Sequence, residues 1–96
     1  MSGKENILIA LQQAKPMLTK KYNIKTLALF GSYSRNEANT KSDVDLMVDF
    51  AKPIGIGFID LADELEKILH LKVDLVSRNG IAAKYYKAIE QELIYV

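Results

Sequence analysis

Apolar residues recur at Ile7, Leu8, Leu11, Ala14, Met17 and Leu18, the three-and-four spacing of a helix with one buried stripe. This predicts a helix over 5–21 that ends at Tyr22-Asn23. Pro16 is expected to kink or divide it, because proline lacks the N–H that an interior helical position donates. Thr26-Leu27-Ala28-Leu29-Phe30 is then an unbroken apolar run, read as a buried strand over 25–30, and Gly31 breaks it. Ser34-Arg35-Asn36-Glu37 fits a capping box, with Ser34 as N-cap and Glu37 three residues on, so a short helical turn is expected there, followed by polar loop over 39–42. From Asp43 to Phe50 the chain alternates. Val44, Leu46, Val48 and Phe50 face one way, and Asp43, Asp45, Met47 and Asp49 face the other, which is the period of a strand.

A Pro/Gly loop over 52–57 separates this strand from Phe58, Leu61, Ala62, Leu65, Ile68 and Leu69, which again have helical spacing. Val73-Asp74-Leu75-Val76 reads as a third short strand and Asn79-Gly80 as a turn. Residues 81–93 read as a last helix, ending in Ile94-Tyr95-Val96. The order α-β-(α)-β-α-β-α predicts an α/β (α+β) fold: a small mixed sheet of about three strands with helices packed against it.

Composition narrows the function classes. Ninety-six residues, 49% of them hydrophobic, suit one small domain over 1–96, which buries roughly 60–65% of its unfolded surface. The net charge of +1 points to no particular partner, and the basic excess usual for nucleic-acid binders is missing, so no direct nucleic-acid partner is expected. Lys20-Lys21 reads as a solvated helix end. There is no cysteine, which excludes disulfides and thiolate metal sites. No apolar run reaches the ~20 residues of a membrane span or forms an N-terminal leader, so a soluble cytoplasmic protein is expected.

Three features carry candidate chemistry. Asp43 and Asp45, at i and i+2 of a strand, share a face with Cα atoms about 6.5–7 Å apart. Such a pair either holds divalent metal or decorates an exposed sheet face. Magnesium takes oxygen ligands and commonly binds through one or two carboxylates plus substrate phosphates. Gly31-Ser32, ten residues before Asp43, is either an ordinary turn or a phosphate cradle. A glycine admits backbone geometry closed to other residues, N–H groups at the start of a helical turn favour anions, and the Ser32 hydroxyl adds a donor. Asp74 lies inside an otherwise apolar strand. It is either an edge residue or, if its strand neighbours that of Asp45, a third carboxylate able to ligate metal and to take a proton from an attacking hydroxyl. His70 reads as a helix-end residue, Asp49 as structural or solvated, and Lys84-Tyr85-Tyr86-Lys87 as a helix face with partly buried tyrosines.

Taken together, Gly-Ser, ten residues, Asp-x-Asp and a later strand-borne Asp are similar to the signature of the DNA polymerase β-like nucleotidyltransferases. The stretch Gly31-Ser32-x-x-Arg35-x-Glu37-Ala38-x-x-x-Ser42-Asp43-Val44-Asp45-Leu46 closely resembles the minimal nucleotidyltransferase (MNT) branch of that superfamily. The resemblance covers most of the chain. It implies a magnesium-bound nucleoside triphosphate, ATP, whose nucleoside monophosphate passes to a hydroxyl. It also implies that Gly31 and Ser32 hold the β- and γ-phosphates, that Asp43 and Asp45 ligate two Mg²⁺ ions, and that Asp74 serves as metal ligand and base. Arg35 would lie behind Gly31-Ser32, meeting phosphate or pairing with Glu37 or Asp49.

Larger enzymes of this kind carry extra domains for the acceptor, for which 96 residues leave no room. The resemblance supplies a reason: MNT proteins are typically paired with a HEPN-domain toxin, which they neutralise as antitoxins, and members can transfer AMP to a tyrosine of that toxin. A protein adenylyltransferase acting on a HEPN partner, in a homo- or hetero-oligomer, is therefore the expectation. A non-catalytic antitoxin that works by binding alone and a small-molecule nucleotidyltransferase are the alternatives.

Overall fold

The helical spacing at the N-terminus belongs to one helix, α1 (Gly3–Tyr22), in the computed structural model, which describes residues 3–96. It buries Ile7, Leu11, Leu18 and Tyr22 along a single stripe. Of the kink or division expected at Pro16, division does not occur: α1 runs through it unbroken. Both Pro16 and Gln12, whose carbonyl loses its helical donor, are exposed, so water can satisfy the freed oxygen. Asn23, in the left-handed region at φ 55°, turns the chain into β1 (Ile24–Phe30).

In β1 the run Leu27-Ala28-Leu29-Phe30 is buried at every position because both faces of the strand are covered. It pairs antiparallel with β2 (Val44–Phe50), which pairs in parallel with β3 (Val73–Ser77). Between β2 and β3 runs the crossover that a parallel pair requires, α3 (Gly57–Leu69), while the short turn α2 (Gly31–Ser34) follows β1. Glu66 of α3 accepts the Val73 N–H at 2.9 Å and so ties the helix to the start of β3. His70 ends α3 in the left-handed region at φ 55°, its N–H donating to Glu66 O, which matches its reading as a helix-end residue.

The sheet has a fourth strand, β4 (Ile94–Tyr95), and its order is β3-β2-β1-β4. The helix expected over 81–93 is accordingly shorter. It is α4 (Ala83–Ile89), followed by one 3₁₀ turn, Glu90–Glu92. Residues past 92 change period from helix to strand: Leu93 packs on one side of the sheet, and Ile94 and Val96 on the other. They also satisfy the open edge of β1, with Ala28 opposite Tyr95 and the Val96 N–H donating to Leu27 O at 3.0 Å. Asn79-Gly80 falls within a 3₁₀ turn, Arg78–Gly80, capped by the Ser77 hydroxyl, which accepts the Gly80 N–H.

The alternation of β2 sorts the core as its sequence predicts. Val44, Leu46 and Val48 meet Leu11, Leu18, Leu61 and Leu65 of α1 and α3, and Phe50 meets Phe58 edge-on at 6.3 Å between ring centroids. Met47 faces the other way, into a smaller cluster with Phe30 and Ile89. Asp45 and Asp49 share the face of Met47 by the alternation of the strand. Among the described residues no helix is long and apolar enough to cross a membrane.

Tyr22 and Lys21 of α1 both reach Glu64 of α3, Lys21 at 3.2 Å. The Tyr22 hydroxyl, on a buried side chain, donates to Glu64 Oε2 at 2.5 Å, which pushes the phenol up to about 12 and holds the Glu64 carboxyl below its usual range. Phenylalanine at position 22 removes the donor, and a destabilisation of about 1 kcal/mol is expected from chemical denaturation at neutral pH. The phenol's contribution is complete below its unfolded value near 10 and is lost as pH rises through about 12. The Glu64 contribution is present above the ordinary carboxylate range and is lost as pH falls through its depressed folded value. The difference between wild type and Tyr22→Phe should therefore be flat near pH 7 and shrink at both extremes.

Candidate active site

At the end of β1 the backbone turns sharply at Gly31, with φ at 78°. A side chain is excluded there twice over. The left-handed region disfavours any Cβ, and a Cβ built on Gly31 would lie 2.1 Å from Asp45 Oδ2. The backbone of Gly31 thus lies directly against the Asp45 carboxylate, which links the two halves of the sequence motif in space.

The turn that follows is closed differently from the expected capping box. Ser34 is not its N-cap: α2 starts at Gly31 and ends at Ser34, so the Ser-x-x-Glu stretch lies at its C-terminus. Asn36, left-handed at φ 59°, closes the turn. The Glu37 N–H donates to Ser32 O and the Asn36 N–H to Tyr33 O, the paired bonds of a Schellman motif. The Ser34 hydroxyl is buried and donates to the carbonyl of Glu92 instead. Ser32 is half-buried beside Gly31.

Strand pairing brings the acidic residues together. Asp45 stands opposite Phe30 of β1 on one side and Asp74 of β3 on the other, so the two aspartates share a register position and a face. Asp43 precedes β2 by one residue and is exposed, as is Asp74 on its edge strand, while Asp45 is half-buried. Burial pushes the Asp45 carboxyl above the usual range, and the negative charges of Asp74, Asp43 and Glu92 push it the same way, against the opposing pull of Arg35. Among the described residues, no three His, Cys, Asp or Glu side chains make a ready-formed metal cage. Magnesium does not require one, since substrate phosphates complete its shell. Hard oxygen donors and an uncompensated negative field at Asp45 both fit a divalent cation. The carboxylates that would hold it are Asp43, Asp45 and Asp74.

Arg35 follows α2 and pairs with Glu37 at 2.6 Å, one of the two partners expected, but not with Asp49. Its second partner is Glu92, whose two oxygens lie 3.1 and 3.0 Å from Nη1. Glu92 also accepts the Gly31 N–H at 2.9 Å. Sequence reasoning missed Glu92, which lies 61 residues from Gly31 in the chain and carries no local signature beyond an acid preceding four apolar residues. Asp49 is half-buried further along β2, and His70 lies exposed at the C-terminal end of α3. Of the Lys84–Lys87 tyrosines, Tyr86 packs on the smaller cluster under the Arg78 guanidinium, 3.6 Å from its ring centroid, and Tyr85 stays exposed.

The glycine turn thus lies against one of two aspartates paired in register at one end of the mixed sheet. The chain belongs to the polymerase β nucleotidyltransferase family, whose model matches residues 12–96. It is 38% identical over 93 residues to protein adenylyltransferase MntA of Thermococcus cleftensis, covering 96% of this chain and 94% of that one. Its fold superposes on a solved candidate minimal nucleotidyltransferase with a TM-score of 0.79 at 30% identity, covering 98% and 95% of the two chains. It also superposes on a toxin–antitoxin structure with AMP-PNP, with a TM-score of 0.69 at 25% identity over 96% of this chain and 70% of that one. The same fold is found in a structure of a tri-AMPylated Shewanella oneidensis HEPN toxin in complex with MNT antitoxin, with a TM-score of 0.60 at 23% identity, covering 97% and 67%.

Proposed function

We propose that this chain binds ATP with Mg²⁺ across Gly31-Ser32 and the three aspartates, and transfers AMP to a tyrosine hydroxyl of a HEPN toxin, which it thereby silences as an antitoxin in the cytoplasm. The observation that carries this reading is the approach of Gly31 to Asp45, with Asp74 in register beside it. Support also comes from the 38% identity to a protein named an adenylyltransferase, and from the fold shared with a toxin–antitoxin structure that holds an ATP analogue. Residues 1–96 act as one minimal catalytic domain that supplies the donor half of the reaction, and the partner supplies the acceptor.

This reading assigns each residue a role. The Ser32 hydroxyl, with Gly31 and Arg35, binds the β- and γ-phosphates. Asp43, Asp45 and Asp74 hold the metal, which when bound supplies the positive charge that offsets the triphosphate and the departing pyrophosphate. Asp74, exposed on the edge strand, is placed to accept the proton of an incoming hydroxyl. The tyrosine oxygen then bonds to the α-phosphorus, the bond from that phosphorus to the bridging oxygen breaks, and pyrophosphate leaves with the electron pair. Holding hydroxyl and phosphorus in line is the main task left to the protein.

The test is incubation of the chain with Mg²⁺, ATP and the protein encoded beside it, expected to be a HEPN toxin, read by intact mass. The partner should gain the mass of AMP and lose its toxic activity, and Asp43→Asn with Asp45→Asn should abolish both changes. A partner that keeps its mass and its activity contradicts the proposal. A folded double variant that still neutralises the toxin would instead establish the binding-only reading.

A further inference from the structure

The phosphate-facing turn already holds an anion of the chain's own. The Gly31 N–H donates to Glu92 Oε1 at 2.9 Å, and Arg35 Nη1 reaches both oxygens of the same carboxylate at 3.1 and 3.0 Å. A backbone N–H and a guanidinium converging on one carboxylate is the donor set that also recognises a phosphate oxygen. Both donors belong to the residues that the proposed function assigns to the triphosphate. An N–H that is fully engaged by one anion cannot make an equally strong bond to a second.

The surroundings of Glu92 separate what is fixed from what can move. Its backbone is pinned, because its carbonyl accepts the Ser34 hydroxyl and, one residue further on, β4 pairs with β1 through Leu29 opposite Ile94 and Ala28 opposite Tyr95. Its side chain is partly exposed, at 20%, and is held by the contacts to Gly31 and Arg35. The carboxylate can swing out while the segment that carries it stays in place. Electrostatics gives a reason to do so, since Glu92 adds negative charge to a face that already bears Asp43, Asp45 and Asp74. A triphosphate arriving there meets that charge directly.

We propose that Glu92 sets the nucleotide affinity of this site: its carboxylate occupies the anion position between the Gly31 N–H and the Arg35 guanidinium in the free chain, and the triphosphate displaces it. The inference rests on the nucleotide-binding reading given above. In the free state Glu92 keeps the turn formed and Arg35 oriented. As pyrophosphate leaves, Glu92 returns to the same two donors and so favours product release.

Glu92→Gln separates charge from shape, because glutamine keeps an acceptor for the Gly31 N–H and drops one of the two carboxylate charges that hold Arg35, leaving that of Glu37. Titration calorimetry with inorganic tripolyphosphate and with MgATP should give a Kd about three- to tenfold lower for the variant, as expected when a competing occupied state is weakened. An unchanged or weaker affinity overturns the proposal. A second measurement needs no variant. In isotope-labelled wild-type protein, saturating tripolyphosphate should shift the Glu92 side-chain carboxylate resonance together with the Gly31 amide. A Glu92 carboxylate that does not respond at saturation overturns the displacement, while the nucleotide reading stands. If wild type binds neither ligand, the nucleotide reading fails and this inference with it.

Discussion

Asp45→Asn should lose at least about 10³-fold in AMP transfer, the scale of several kcal/mol of charge stabilisation at a metal-assisted reacting centre, and should melt at a higher temperature than wild type. The two effects have one cause. Asp45 is half-buried beside Asp74 and Asp43, and both its burial and those charges push its carboxyl above the usual range. Folding therefore works against the ionised form of this residue. The sign follows from linkage: a group whose folded value is raised binds more protons when folded, so its unfavourable contribution grows as pH rises through that range and is complete at neutral pH. Asparagine removes it, and a gain of about 2–5 °C is expected at pH 7 for a chain this size. The gain should shrink as pH falls through the carboxylate range, where the wild-type side chain becomes neutral. Added Mg²⁺ should raise the wild-type midpoint more than that of the variant, because the ion offsets the charge that asparagine has already removed. Thermal melts across pH, with and without Mg²⁺, check all three statements. A variant that melts lower than wild type at pH 7 would mean that Asp45 serves the fold rather than the reaction.

Gly31→Ala carries the second large effect, with the opposite sign on stability. Alanine at φ 78° costs about 1–2 kcal/mol in backbone strain. Its Cβ would also fall 2.1 Å from Asp45 Oδ2, so the carboxylate must move, at a further cost of about 1–3 kcal/mol typical of overpacking. A fall in midpoint of roughly 10 °C or more is expected. Activity should fall about 10²-fold or more even well below the melting temperature, because Asp45 is pushed from its place and small misplacements of reacting groups are costly. Gly57→Ala is the control. A Cβ there meets Ile54 at an ordinary 3.6 Å, so this change should leave the midpoint level or slightly raised. Equal losses from the two substitutions would remove the argument from close approach.

What could be read from the sequence depended on how far the determining contacts lie apart. The alternation over Asp43–Phe50 was legible because β2 has one face on α1 and α3 and the other on α4, so each side chain's identity reports its side. The approach of Gly31 to Asp45 was legible because adjacent antiparallel strands keep the motif within 15 residues. Asp74 could be named but not placed, since its value depended on β3 lying beside β2, which is a matter of strand order. The Ser34 misreading has a local cause. Ser-x-x-Glu matches the start of a helix, but the left-handed Asn36 within it makes the same residues a helix end. β4 was missed because the helical spacing of residues 81–89 runs on in the sequence to Leu93, and only the open edge of β1 turns the last residues into a strand. Glu92 was invisible for the same reason, as its partners are set by that strand.

The central claim is that Gly31-Ser32 and the three aspartates form one metal and nucleotide site. Paramagnetic broadening tests it most directly: substoichiometric Mn²⁺ added with a non-hydrolysable ATP analogue, followed by amide spectra of the whole chain. Broadening should concentrate at residues 31–32, 43–45 and 74, and Asp45→Asn should abolish it. Broadening centred elsewhere, for instance on the acidic face of α3 at Asp60 and Asp63, or left unchanged by that substitution, would contradict the claim.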